Sequence, residues 1–358
     1  MCNVYQTMNQ IFAERFKSAR LLNGFSLQDL ADKLNNKISR QALHRYEKGE
    51  VIPDSEMIAL LCEVMNVRPD YFFRETRIEI GVVEYRKLKR MPVKEENKVI
   101  EQTREYLSRY LELEDILGIQ NQFQNPLKDF EIITQYDQVN EAANRLREKW
   151  ELGKDPLFNM PELLEDKHIK VVEIDADIAF DGMQTWVNQN IPVVAYNKNI
   201  ADKPDRIRFT LLHELAHLLL TFGDIPENQK EKLCHQFAGA MLLPEQTIKE
   251  ELGNTRIRLS IQELGNIKKQ YGISMQAIVM RAKVCNIISD NYTAQFFNMI
   301  KQMGWKIEEP IALECIEKSN RFDQLLYRAL AEEQISMSKA ASLKNMKLAE
   351  FRNQTPYA

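Results

Sequence analysis

The stretch Leu211-Leu212-His213-Glu214-Leu215-Ala216-His217-Leu218-Leu219-Leu220 sets two imidazoles and a carboxylate in an otherwise apolar run. Its length and composition predict a buried helix. Residues four apart fall one turn apart on the same helical face, so His213 and His217 can reach a single metal ion. Glu214, beside the first of them, is placed to act on a metal-bound water. Two neutral imidazoles and one carboxylate leave a fourth position on zinc open for water, whose pKa zinc lowers to about 7. Glu214 would take that water's proton and pass it to a leaving amine, which is the chemistry of peptide hydrolysis. A third ligand must come from elsewhere. On the next predicted helix, 226–241, Glu227, Glu231 and His235 share one face, and spacing alone leaves the choice among them open. Cys234 sits among core-type neighbours and reads as a buried residue, and His168 as structural.

The elements that must position these groups follow from a change of period just upstream. Runs 169–174, 183–187 and 192–196 read as strands, the last two separated by the turn-forming Asn188-Gln189-Asn190. They predict a small antiparallel sheet ahead of the metal helix, and such a sheet can offer an edge to an extended peptide. Helices are expected over 139–150 and, from Asp155-Pro156, to about 166. Two more are expected after Leu259-Ser260 and Ile273-Ser274, divided by Gly272.

The pattern R-x-R-F-T-L-x-H-E-x-x-H…E-x-L-C-x-x-F-A…L-L-P, running from Arg206 to Pro244, resembles the ImmA/IrrE family of metallopeptidases. That resemblance implies a zincin-like, zinc-dependent endopeptidase of the kind that cuts repressor proteins. It implies His213, His217 and Glu231 as the metal ligands and Glu214 as the catalytic residue. The position of His235 is commonly Asn in the family, so histidine there is a departure, either supporting the site or competing with Glu231.

The first 75 residues have a different character. Ser26 precedes Leu27-Gln28-Asp29-Leu30-Ala31-Asp32-Lys33-Leu34 as an N-cap, with Asp29 completing the S-x-x-D capping pattern. Asn35-Asn36-Lys37 forms a turn. Ser39 then caps Arg40-Gln41-Ala42-Leu43-His44-Arg45-Tyr46-Glu47-Lys48, which Gly49 ends. Two short capped helices joined by a tight turn predict a helix-turn-helix, whose second helix presents Ser39, Arg40, Gln41, His44 and Arg45 to base edges of double-stranded DNA. Arg suits guanine and Gln suits adenine. The I-S-R-Q…Y-E-K-G-x-x-x-P signature resembles the phage-repressor-like, XRE-type domain. Where such domains usually carry Gly in the turn this chain has Asn, which tolerates left-handed backbone. A five-helix bundle with no nucleic-acid role is the competing reading.

Composition bounds the rest. The 358 residues carry a formal net charge of -4, so any DNA-binding face must be local. Five scattered cysteines form no C-x-x-C pair, and no signal peptide or membrane-spanning run is present, which predicts a cytoplasmic protein with no membrane partner. The basic run Arg86-Lys87-Leu88-Lys89-Arg90-Met91-Pro92 reads as a solvated linker. A helix is expected over 94–118, either packed on its own chain or pairing with a second copy, as a homodimer on a palindromic operator would need. Pro310 is expected to open a further helix.

The fold class expected is mainly α with a small β-sheet (α+β). The expected organisation is a helix-turn-helix bundle (1–75), a helical linker (76–135), a zinc metallopeptidase domain (136–285) and a helical C-terminal domain (286–358). The function expected is a DNA-binding transcriptional regulator whose peptidase cleaves a repressor, an antitoxin or itself. The alternative is a transcription factor whose peptidase-like domain senses metal, ligand or peptide without hydrolysis.

Overall fold

A computed structural model describes residues 2–74, 78–82, 84–87, 91–120 and 122–355, with the backbone alone for 2–7 and 84–87. The fold is mainly helical with one small sheet.

The N-terminal bundle comprises α1 (Cys2–Leu22), α2 (Leu27–Lys33), α3 (Arg40–Glu47), α4 (Ser55–Met65) and a 3-10 turn, Pro69–Phe73. Helical periodicity is plain from Ile11, with Phe12, Phe16 and Ala19 on one face, but the helix already begins at Cys2, because nothing in 3–10 breaks it. Ser26 and Asp29 form a reciprocal capping box: the Ser26 hydroxyl accepts from Asp29 N–H at 3.0 Å, and the Asp29 carboxylate accepts from Ser26 N–H at 2.8 Å. Asn35 and Asn36 turn the chain with φ of 54° and 55°, the left-handed geometry Asn tolerates. Phe12, Phe16, Leu30, Leu43, Leu61 and Phe72 close the core.

Helix α5 (Val93–Ile116) is the spine of the molecule. One side of its first half meets the N-terminal bundle, where Glu105 accepts from Arg15 at 2.9 Å and from Arg74 at 3.0 Å, and Lys94 pairs with Asp29 at 3.2 Å. Its middle lays Val99 and Leu107 on the sheet. Tyr110 and Leu113 pack with Phe322, Leu326 and Phe351 of the C-terminal helices. Val99, Leu107, Tyr110 and Leu113 of α5 are thus buried against its own chain.

The sheet has four strands, β1 (Glu84–Lys87), β2 (Lys170–Ile174), β3 (Phe180–Val187) and β4 (Ile191–Asn197), in the order β1-β3-β4-β2. Two expectations are corrected here. The sheet is mixed: β3 pairs antiparallel with β4 and β1, but β2 pairs parallel with β4. Alternation marks a strand without naming its partner, and here the tight β3–β4 hairpin, turned by Asn188 and Gln189 at positive φ, makes β4 the neighbour of β2. Part of the expected basic linker is also a strand. Arg86 and Lys87 belong to β1, while residues 88–90 of that run lie outside the described residues.

Around the sheet lie α6 (Tyr136–Lys149), α7 (Met160–Asp166), α8 (Pro204–Leu219), α9 (Glu227–Leu242), α10 (Glu245–Leu252), α11 (Ile261–Tyr271), α12 (Met275–Val284) and α13 (Asp290–Gln302). The tail holds α14 (Arg321–Ala331), α15 (Met337–Leu343) and α16 (Leu348–Gln354). Helix α7 starts four residues later than an N-cap at Asp155 and a first helical residue at Pro156 suggest, and Pro310 opens no helix. Both differences share a cause. Residues 304–320 cross the surface as an irregular strap whose carboxylates satisfy the open N-termini of other helices. Glu317 accepts from Met160 N–H at 2.6 Å, and Glu309 accepts from Met275 N–H at 2.9 Å and Gln276 N–H at 3.0 Å. Long-range caps of this kind leave no mark in local periodicity.

Candidate metal centre and DNA-binding helix

Pro204 occupies the first turn of α8, where its missing N–H costs nothing, and the helix then runs buried for nearly its whole length. Leu211, Leu212, Leu215, Ala216 and Leu219 fill the core shared with α9 and the sheet. Within that apolar helix His213 and Glu214 are fully enclosed, at 0% and 1% exposure. Burying polar side chains in a helix is expensive unless they have a task or partners.

The approach of α8 to the sheet depends on Gly182 of β3. A Cβ there would stand 2.6 Å from Thr210 Cγ2, 3.0 Å from the Ala195 carbonyl and 3.3 Å from Glu214 Oε1. The missing side chain is the space in which the Glu214 carboxylate lies against the strand. Sequence reasoning began this strand at Met183 and missed Gly182. Its signal was a lone glycine within a strand pattern, which marks close approach of another element.

The third candidate ligand comes from α9. His213 Nε2 lies 3.3 Å from His217 Nε2 and 3.3 Å from Glu231 Oε2, and His217 Nε2 lies 3.2 Å from Glu231 Oε1. Among the described residues, this is the group of three potential ligands that converges on one point. The donor set fits zinc. Four ligands placed tetrahedrally about 2.0–2.1 Å from an ion are about 3.3 Å from one another; the two imidazole nitrogens stand at that separation, and Glu231 brings one carboxylate oxygen to a like distance from each. Burial works to raise the pKa of Glu231, but hydrogen bonding and electrostatic interaction with His213 and His217 outweigh it and hold the carboxyl well below the usual carboxylate range.

The other candidates are placed elsewhere. Glu227 is largely exposed and pairs with Lys230 at 3.8 Å. The His235 ring packs against His213, with centroids 4.5 Å apart, and stacks on Phe209 at 5.9 Å, so it braces the first imidazole from outside the cluster. Cys234 is fully buried, and that burial pushes its thiol up, as expected of an inert core residue.

In the N-terminal bundle, Ser39 accepts from Ala42 N–H at 3.2 Å and starts α3. Leu43 anchors the helix in the core while Ser39, Arg40, Gln41, His44 and Arg45 are exposed together. Arg45 also pairs with Glu50 at 3.2 Å.

Comparison with known proteins agrees with both units. A family described as Helix-turn-helix matches residues 16–72, and the IrrE N-terminal-like domain, Peptidase M78, matches residues 164–283. The SPbeta prophage-derived uncharacterized HTH-type transcriptional regulator YonR of Bacillus subtilis (strain 168) is 32% identical over 74 residues, or 21% of this chain and 67% of that protein. The chain belongs to the XRE-type helix-turn-helix regulators and joins that domain to an IrrE-like one. In this XRE–IrrE chain the first match spans α2, α3 and α4, so it contains the exposed residues of α3. The second runs from within α7 into α12 and holds β2, β3, β4, α8 and α9, hence all three groups of the cluster. Strand β1 and the spine α5 lie outside both matches. No helix among the described residues is long and apolar enough to cross a membrane.

Proposed function

We propose that this regulator carries a zinc-dependent endopeptidase that cuts a repressor, an antitoxin or the chain itself, under control of a domain that binds a double-stranded DNA operator. The observation that supports it most is the triangle of His213, His217 and Glu231 donors with Glu214 enclosed beside it. His213, His217 and Glu231 would hold the ion. A zinc ion, when bound, polarises a carbonyl and makes water a stronger nucleophile at neutral pH. Glu214 takes the proton of the attacking water and delivers it to the nitrogen of the departing amine, so that no amide anion has to leave. Its contact with β3 at Gly182 fixes where that proton transfer occurs. His235 holds the His213 ring in place. In the bundle, Arg40 and Gln41 have the side chains and exposure to read base edges, and the start of α3 is exposed, as a helix N-terminus that meets a phosphate must be.

The test incubates the zinc-loaded full chain with candidate repressors and antitoxins encoded near it, and with the chain alone. Cleavage that disappears in Glu214→Gln, while metal content stays at the parent level, is the expected result. Cleavage of none of them, or cleavage unaffected by Glu214→Gln or by chelation, would leave the non-hydrolytic sensor as the better reading.

A further inference from the structure

Strand β3 lies directly beneath the candidate site, since Gly182 is the residue against which Glu214 rests. One edge of β3 is covered by β4. The other is covered by a strand from a distant part of the chain. β1 runs antiparallel along it, with Glu84 opposite Gln184, Tyr85 opposite Met183 and Arg86 opposite Gly182. The preceding residues continue the pairing: Gly81 N–H donates to the Trp186 carbonyl at 2.8 Å, Asn188 N–H to the Glu79 carbonyl at 3.0 Å, and the Thr185 hydroxyl to the Val82 carbonyl at 3.1 Å. The described residues of 79–87 therefore follow β3 from its hairpin end back to Phe180.

Three features single this pairing out. Neighbouring strands lie about 4.7–4.9 Å apart, which puts the Arg86 backbone one strand spacing from the glycine that faces Glu214. The register slips between Arg86 and Lys87, so the ladder is interrupted beside that glycine. The IrrE-like match begins at residue 164, so β1 is an addition to that unit, and within the match β3 is an edge strand.

We propose that the described residues of 79–87 sit where an extended polypeptide adds to β3 in order to reach Glu214, so that the chain occludes its own peptide edge. Extended peptides join sheet edges through main-chain hydrogen bonds, and any segment that does so here must displace β1. The resident strand is tethered, so it competes at an effective concentration in the millimolar range typical of short linkers. It also lies between the bundle, whose last turn ends at Phe73, and α5, which starts at Val93. The bundle is docked on α5 through Arg15, Arg74 and Glu105. A movement that separates bundle and spine therefore pulls on β1. The consequence for hydrolysis rests on the proposed role of Glu214, whereas the competition for the edge does not.

The experiment measures anisotropy of a fluorescent synthetic peptide with the sequence of residues 79–87, added to the full chain carrying Glu214→Gln. Gly81→Pro removes the N–H that bonds Trp186 and sets a ring against that carbonyl, freeing the edge. Tyr85→Cys combined with Met183→Cys, opposite one another in register, ties the strand down when oxidised. The peptide should bind Gly81→Pro at least tenfold more tightly than the parent. Binding to the oxidised cysteine pair should be lost, and reduction should return it to the parent level. Circular dichroism checks the fold of Gly81→Pro, and if that variant unfolds the cysteine pair decides alone. Equal binding to oxidised and reduced protein overturns the proposal. Metal-dependent hydrolysis absent from the Glu214-containing chains while this binding pattern holds would sink the peptidase reading and leave the occluded edge standing. Hydrolysis in the parent equal to that in Gly81→Pro, with no competition by the peptide, would do the reverse.

Discussion

Gly182→Ala tests whether the contact between α8 and the sheet is as close as the structure places it. The new methyl group would stand 2.6 Å from Thr210 Cγ2 and 3.0 Å from the Ala195 carbonyl, against a normal carbon–carbon contact of about 3.5–4.0 Å. Thr210 is fully buried and Ala195 O belongs to a central strand, so neither moves freely. Overpacking of this kind costs about 1–3 kcal/mol. For a unit of this size that is roughly 2–12 °C in Tm. The companion change Thr210→Ser removes the methyl that is struck while keeping the hydroxyl, and alone costs about 0.5–1.5 kcal/mol for the lost buried group. Together the two should cost less than their sum by about 1–2 kcal/mol, because the worst clash is absent from the double variant. Equilibrium urea unfolding followed by tryptophan fluorescence is a suitable assay. All three tryptophans, Trp150, Trp186 and Trp305, belong to or pack on the core that contains α8, and the N-terminal bundle has none. A displacement of about 1 Å at a reacting group costs about 100-fold in rate, so shifting Glu214 by a few tenths of an ångström should slow hydrolysis severalfold. Strict additivity of the two substitutions, or Gly182→Ala as stable as the parent, would refute the close approach.

Further outcomes follow from the two sites. Glu231→Ala should abolish stoichiometric metal, whereas His235→Ala should weaken binding by no more than the roughly 10–100-fold of a supporting residue; metal analysis after dialysis checks both, and the opposite order would make His235 the ligand. Arg40→Ala should cost about 1–3 kcal/mol of specific DNA binding and relax preference at one base pair, read by binding across salt and operator variants. The Asp29 carboxyl is held below its ordinary value by the backbone hydrogen bond from Ser26, then by Lys94 and the Ser26 hydroxyl. A carboxyl depressed on folding contributes stability above its unfolded pKa and loses it as pH falls through the folded value. Acid titration of the bundle should therefore show a destabilising limb below about pH 4 that is reduced in Asp29→Asn.

Much of this molecule was determined by short-range chemistry and is legible in the sequence. The capping box of Ser26 and Asp29, the left-handed turn at Asn35 and Asn36, the cap at Ser39 and the i,i+4 pair His213 and His217 each depend on residues within one turn of one another. The same holds for the exposed face of α3, because Leu43 alone dictates which side of that short helix is buried. Tertiary structure decided the rest. The sequence offered Glu227, Glu231 and His235 on one face of α9. Only the packing of α9 on α8 brings the Glu231 carboxylate to both imidazoles and lays the His235 ring against His213. The parallel pairing of β2 with β4 and the cover of β3 by β1 join residues far apart in the chain, through backbone groups that every residue shares. The strap at 304–320 caps α7 and α12 across similar separations. Side-chain periodicity reports which face of an element is buried but not what buries it. The helix that carries His213 and His217 was therefore readable as a candidate metal-holding element, while the strand that lies along the edge of β3 was not.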